Sequence, residues 1–211
     1  MRKIILLATI LLITGTVSAQ TYLNSDRYDL SSVAEPTVAF TASAAMTNAT
    51  GGANFNTSGL AGFNAGFAFD LPISNSLSIA PEILYAQKGY NANTQFGNFT
   101  QRSQYIDIPV LAKFKTGSQI SLYAGPQISY FVSSRNSFSG NFTESQQQNY
   151  ATTGSSLLLQ GVIGLGINVT HKVELRARYA VDMQGRYTNG NNIVPSYRNQ
   201  AVQLGFGFRL N

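Results

Sequence analysis

The sequence predicts an all-β fold, an eight-stranded antiparallel up-and-down transmembrane β-barrel. Three observations predict it. Apolar and polar residues alternate with period two along most of the chain, and no segment carries a convincing helical period. Between the runs of alternation, short connections and long polar ones strictly take turns. Charged residues make up 11% of the chain, less than half of the roughly 25% usual in soluble domains and too few to coat a water-facing surface.

The first residues read as an export signal. Arg2 and Lys3 precede an apolar run from residue 4 to 13, and Val17-Ser18-Ala19 supplies the small residues of a cleavage site, so residues 1–19 are expected to be a signal peptide. That apolar run is shorter than the ~20 residues of a spanning helix, and nothing like it recurs downstream. Residues 20–36 then read as an N-terminal periplasmic tail, and residues 37–211 as the barrel. The chain has no cysteine, which leaves no thiol for a lipid anchor or a disulfide. Without Arg2 and Lys3, 12 basic residues stand against 9 acidic ones, too few and too scattered for a nucleic-acid surface.

Strands are expected over residues 37–46, 60–71, 77–88, 103–115, 119–132, 156–169, 172–183 and 199–210. Most have the ~9–11 residues that cross a bilayer at a steep tilt. The connections 72–76, 116–118 and 170–171 are short. The connections 47–59, 89–102, 133–155 and 184–198 are long and polar. In an up-and-down meander this rhythm gathers the short turns at one end, expected to be periplasmic, and the long loops at the extracellular end. An even strand number returns both termini to the short-turn side.

Parity then sorts the faces. In the fourth strand Ile106, Ile108, Val110, Ala112 and Phe114 share one face, and Tyr105, Asp107, Pro109, Leu111, Lys113 and Lys115 the other. The seventh sets Val173, Leu175, Ala177, Tyr179 and Val181 against Glu174, Arg176, Arg178, Ala180 and Asp182. A soluble barrel alternates too, with its apolar side inward. Long loops confined to one end, a polar face rich in Gly, Ser and Ala, and sparse charge all favour the membrane form. The charges therefore face the lumen. Asp70, Glu82, Asp107, Glu174 and Asp182 are expected there with Lys88, Lys113, Lys115, Arg176, Arg178 and Arg209, and Glu82 is expected to pair across the lumen with Arg176 or Arg178. Tyr85, Tyr130 and Tyr179 toward the loops, and Phe69, Phe114 and Phe208 toward the turns, fit two interfacial aromatic belts.

Catalytic and metal sites find little support. The sole histidine, His171, falls in a short turn, at the end opposite the extracellular rim where a lipid-acting site is expected. One His and no Cys give no zinc or iron constellation, and no cofactor is expected. Gly161, Gly164 and Gly166 imitate part of a dinucleotide fingerprint but lie inside a strand pattern with no helix after it. Close packing in a barrel wall accounts for them better. Asn48, Asn98 and Asn141 begin glycosylation-like triplets that indicate exposure. Arg102, Arg135, Arg186 and Arg198 outnumber Glu144 in the long connections, which suits either a surface for polyanionic glycans or a hydrated rim.

The segments "LSIAPEILYAQKGY", "QYIDIPVLAKFK", "ISLYAGPQISYF", "VIGLGINV", "ELRARYAVDMQG" and "VQLGFGFRLN" occur in this order. Together they resemble the PorT-like outer-membrane β-barrel family of Bacteroidetes, OmpX/OmpA-like eight-stranded barrels, over residues 37–210. The last segment is also similar to the C-terminal signal read by the barrel-assembly machinery, although it ends in Leu210-Asn211 and not in an aromatic residue. The resemblance implies an outer-membrane location and, through the family's namesake, a link to protein secretion. It assigns no functional residue. The expected function is structural, anchoring or surface-interacting, with a plugged polar lumen and no catalysis. The expected partners are outer-membrane lipid, the assembly machinery, envelope or secretion proteins, and surface glycans, around a monomeric barrel. An accessory role in a secretion machine and a lipid-modifying enzyme are the alternatives.

Overall fold

A computed structural model describes residues 35–50, 57–94, 97–117, 119–140, 148–149, 157–183 and 198–210. The segments read as signal peptide and most of the N-terminal tail, together with Arg186 and Glu144, lie outside them. The described strands are β1 (Thr37–Thr50), β2 (Thr57–Pro72), β3 (Leu77–Thr94), β4 (Gly97–Thr116), β5 (Ile120–Gly140), the two-residue β6 (Gln148–Asn149), β7 (Leu157–Asn168), β8 (Val173–Asp182) and β9 (Arg198–Arg209). The eight longer ones form one antiparallel wall in chain order. Pairing of β1 with β9 closes it.

The closure is staggered. Stepping from partner to partner, Leu71 leads to Ile79, Ala112, Ala124, Ile163, Tyr179, Val202, Met46 and finally Ala61. One circuit thus returns to β2 ten residues from its start. A stagger of that size goes with strands tilted by about 35–45° and, with eight strands, an interior just wide enough for side chains to fill.

Exposure follows the parity read from the sequence. Ile108, Val110, Phe114, Leu122, Ile128, Ile163, Leu175, Leu204 and Phe206 stand exposed on the outside, while Glu82, Asp107, Lys113, Glu174, Arg176, Arg178 and Asp182 are buried within. On β5 the outward run from Ile120 to Tyr130 rises about 33 Å along the strand, or about 25 Å in height at such a tilt. That is the height of the apolar band of transmembrane barrels. Water would gain nothing by covering this wall, so the hydrophobic effect places it against acyl chains.

The short turns are fastened locally. Ser74 Oγ accepts the Leu77 N–H at 3.1 Å, and Thr170 Oγ1 accepts the Val173 N–H at 3.0 Å, each hydroxyl standing in for a backbone turn bond. Gly117, with φ of 69°, supplies the left-handed residue between β4 and β5.

At the other end the strands run further than expected. Residues 89–94 and 97–102, read from the sequence as one loop, continue β3 and β4 as a paired ribbon. Residues 133–140 continue β5, paired with β4. Arg102 and Arg135, and likewise Arg198 as the first residue of β9, are strand residues, a correction to their placement in loops. Once a sheet is wet on both faces its side chains need no apolar alternation, and periodicity loses its signal.

Gly205 lies at the closing seam opposite Ser43. A Cβ there would come 2.1 Å from the Ala42 carbonyl oxygen and 2.5 Å from Ser43 Cα, both backbone atoms that cannot rotate away. Gly205→Ala is expected to destabilise the barrel by about 1–3 kcal/mol through overpacking. Gly161→Ala, whose Cβ meets nothing within 4 Å, should be tolerated. Urea titration of refolded protein in lipid vesicles checks both.

Candidate functional site

The interior is built around β8, which projects Glu174, Arg176 and Arg178 inward at successive even positions. Their neighbours on the flanking strands are small where bulk would collide. Arg176 lies between Gly166 and Gly205, Arg178 beside Gly164, and Glu174 beside Gly207. A Cβ on Gly166 would stand 2.6 Å from Glu174 Oε1 and 2.8 Å from the Tyr123 hydroxyl. Gly164 and Gly166 thus make room for the lumenal charges, while a Cβ on Gly161 would meet nothing within 4 Å.

Glu82, on β3, reaches across to this strand. Its carboxylate accepts two parallel bonds from Arg178, Nη1 to Oε2 at 2.7 Å and Nη2 to Oε1 at 2.5 Å, and a third from Arg176 Nη1 at 3.1 Å. The side chain of Glu82 is wholly buried and that of Arg178 is 6% exposed, so each charge depends on the other for solvation. The expected cross-lumen pairing is present with both arginines.

Arg176 Nε donates to Glu174 at 2.9 Å, and Lys113 bridges Glu174 at 3.2 Å and Asp70 at 3.1 Å. The Tyr123 hydroxyl donates to Glu174 at 2.5 Å while its ring lies 5.4–5.5 Å from the cationic groups of Lys113, Arg176 and Arg178. The ring's negative faces meet cations at a buried position, Tyr123 being 2% exposed. Lys115 joins Asp70 at 3.4 Å, and Arg209 donates to the His171 carbonyl at 3.0 Å. His171 itself is exposed in the turn between β7 and β8.

A second cluster fills the lumen nearer the long loops. Lys88 lies 2.7 Å from Asp107 and donates to Gln160 Oε1 at 2.9 Å. Gln127 and Ser129 also donate to Gln160 Oε1, and Gln160 in turn donates through its amide nitrogen to Asp182. Asp182 accepts the Asn199 backbone N–H at 2.9 Å as well. Asp107 therefore uses Lys88, a neighbour on β3, and no arginine. Parity had pointed to the charges but not to Tyr123, Gln127, Ser129 and Gln160, whose inward positions carried the available clue.

These groups crowd the described part of the lumen. A cavity lined by Thr41, Asn64, Arg178 and Gln203, and another lined by Asp70, Lys113, Glu174 and Arg209, each have a volume of about 10 Å³, room for roughly one water. Among the described residues no group of His, Cys, Asp and Glu has the makings of a metal site.

The outer wall carries charge at one height. Above the row of Tyr85, Ile106 and Tyr130 come Gln104 opposite Ser133, then Arg102 opposite Arg135, then Thr100 opposite Ser137. Both arginines are exposed, while Ser103 and Ser134 between them turn inward and share a 3.0 Å hydrogen bond. Arg198 is exposed at the start of β9, on another part of the rim.

Comparison with known proteins agrees with this architecture. The chain is similar to the solved structure of Neisserial surface protein A, 18% identical, with a TM-score of 0.51 over 83% of this chain and 99% of that one. It is similar to Ail, the attachment invasion locus protein of Yersinia pestis, 15% identical, with a TM-score of 0.50 over 84% of this chain and 100% of that one. At such identities the likeness concerns the fold. A search of curated proteins finds no match. The family model for the outer membrane protein beta-barrel domain matches residues 18–190. With most of its length inside that match, this chain belongs to the outer membrane β-barrel domain family, and its closed wall lies in an outer membrane.

Proposed function

We propose that the protein is a monomeric, non-catalytic anchor with a sealed lumen, holding an extended polar surface outside the cell. The short turns and both termini face the periplasm, and the far ends of β3, β4 and β5 stand outside. The motif order from "LSIAPEILYAQKGY" to "VQLGFGFRLN" supports a place among the PorT-like members of the family, delivered by a cleaved signal and the barrel-assembly machinery. The observation that carries this reading is the wall-to-wall network on Glu82, Arg176 and Arg178, which a solute or peptide would have to dismantle in order to pass. His171 lies at the end away from the extracellular surface, exposed and offering its carbonyl to Arg209, which suits a turn residue better than a general base.

Planar-bilayer recording tests the sealed lumen. Purified protein is expected to insert without steady openings, because cavities of one-water size give no continuous aqueous path. Large, stable conductance from the wild-type protein would overturn the reading.

A further inference from the structure

We infer that Arg102 and Arg135 form an outward-facing site for the phosphate groups of outer-leaflet lipid, an inference that rests on the membrane orientation proposed above. The two residues are direct cross-strand partners on β4 and β5. Directly opposed side chains leave a strand pair on the same face, with Cβ atoms about 4.5–5.5 Å apart, and like charges so placed repel one another. Five inward-facing cations are neutralised. Lys88, Lys113, Lys115, Arg176 and Arg178 each meet a carboxylate. Among the described residues, no carboxylate pairs with Arg102 or Arg135, so their charge is open to an external anion.

Height identifies which anion. Arg102 is four residues beyond Ile106, the β4 member of the row that holds Tyr85 and Tyr130. Four residues rise about 13 Å along a strand, and about 10 Å in height at the barrel's tilt. Tyrosines of such a row sit at the headgroup boundary, and the headgroup zone beyond it is about 5–8 Å deep. An arginine stem is long enough to bring the guanidinium back into that zone. The outward neighbours below are uncharged: Ser133 Oγ donates to Gln104 Oε1 at 2.7 Å, which leaves the Gln104 amide hydrogens free of that bond and close to the arginine row. Two planar five-donor forks over an amide match the oxygens of a phosphate group, whose charge cancels the mutual repulsion. A soluble glycan would find the pair facing the lipid-side wall and not the open loop ends.

The test uses the full-length mature protein in phosphatidylcholine vesicles containing bisphosphorylated lipid A, extracted in mild detergent and weighed by native mass spectrometry. Wild type is expected to retain the phosphorylated lipid. The R102Q/R135Q variant should retain about tenfold less, the scale of lost charge-assisted contacts. R102K/R135K should fall between them, and lipid A stripped of phosphate should be retained poorly by all three. Because both side chains are exposed, R102Q/R135Q should keep the heat-modifiable gel mobility of a folded barrel and unfold at no lower urea concentration than wild type. Equal retention by wild type and R102Q/R135Q would overturn the inference, as would equal retention of the phosphate-free lipid. A soluble polyanion, inositol hexakisphosphate, binding through these arginines while lipid A retention stays unchanged would also overturn it, in favour of a free ligand. None of these outcomes alters the planar-bilayer result, so the sealed anchor and the lipid site fail separately.

Discussion

Glu82→Ala is expected to lower the stability of the folded barrel by about 3–5 kcal/mol, the cost of leaving a buried charge without its partner. Arg178 would suffer most, because both its bonded nitrogens end on Glu82. Arg176 would keep Glu174. The double variant Glu82→Ala/Arg178→Ala should therefore recover part of the loss, with a coupling energy of about 1–3 kcal/mol between contacting residues. Equilibrium unfolding in urea, followed by tryptophan-free probes such as gel mobility since the chain has no Trp, measures all corners of the cycle. Additive losses would show that the carboxylate and the guanidinium do not act as a unit.

Val110→Arg is expected to cost about 2–4 kcal/mol, the depth-dependent penalty for a cation facing lipid near the midplane. Val110 is 46% exposed on the outer wall, midway between Ile106 and Phe114 on β4. Asn98→Arg, exposed on the same strand where it stands beyond the apolar band, should cost about 0–1 kcal/mol by the same rule. Folding titrations in vesicles compare the two. Equal costs would mean that the outer wall of β4 does not meet acyl chains along its central stretch.

Much of this molecule is written in its side-chain parity. Period two set Asp107 and Lys113 against Ile108 and Phe114, and the closed wall keeps each on the side so assigned. Pairing was less legible, because it depends on the ten-residue stagger that determines which strands look at each other across the bore. Glu82 and Arg176 could be matched from their similar heights, with Arg178 one step higher on the same strand. Asp107 could not, since its partner Lys88 approaches from the adjoining strand in company with three uncharged groups, Gln127, Ser129 and Gln160. The upper reaches of β3, β4 and β5 escaped periodicity altogether. Their residues, such as Asn91 and Thr100, joined by a 2.8 Å hydrogen bond, are polar on a ribbon that no longer has a dry side. Without that extension the facing of Arg102 and Arg135 has no meaning, because a loop has no outward face.

The span between Glu82 and Arg178 bears on biogenesis. These residues are 96 positions apart, so the ribosome releases the acid long before the base that neutralises it. A growing polypeptide that entered the bilayer hairpin by hairpin would carry a naked carboxylate into hydrocarbon. A copy truncated before residue 173 would lack both β8 guanidinium groups and leave the Glu82 carboxylate without the partners it has in the closed wall.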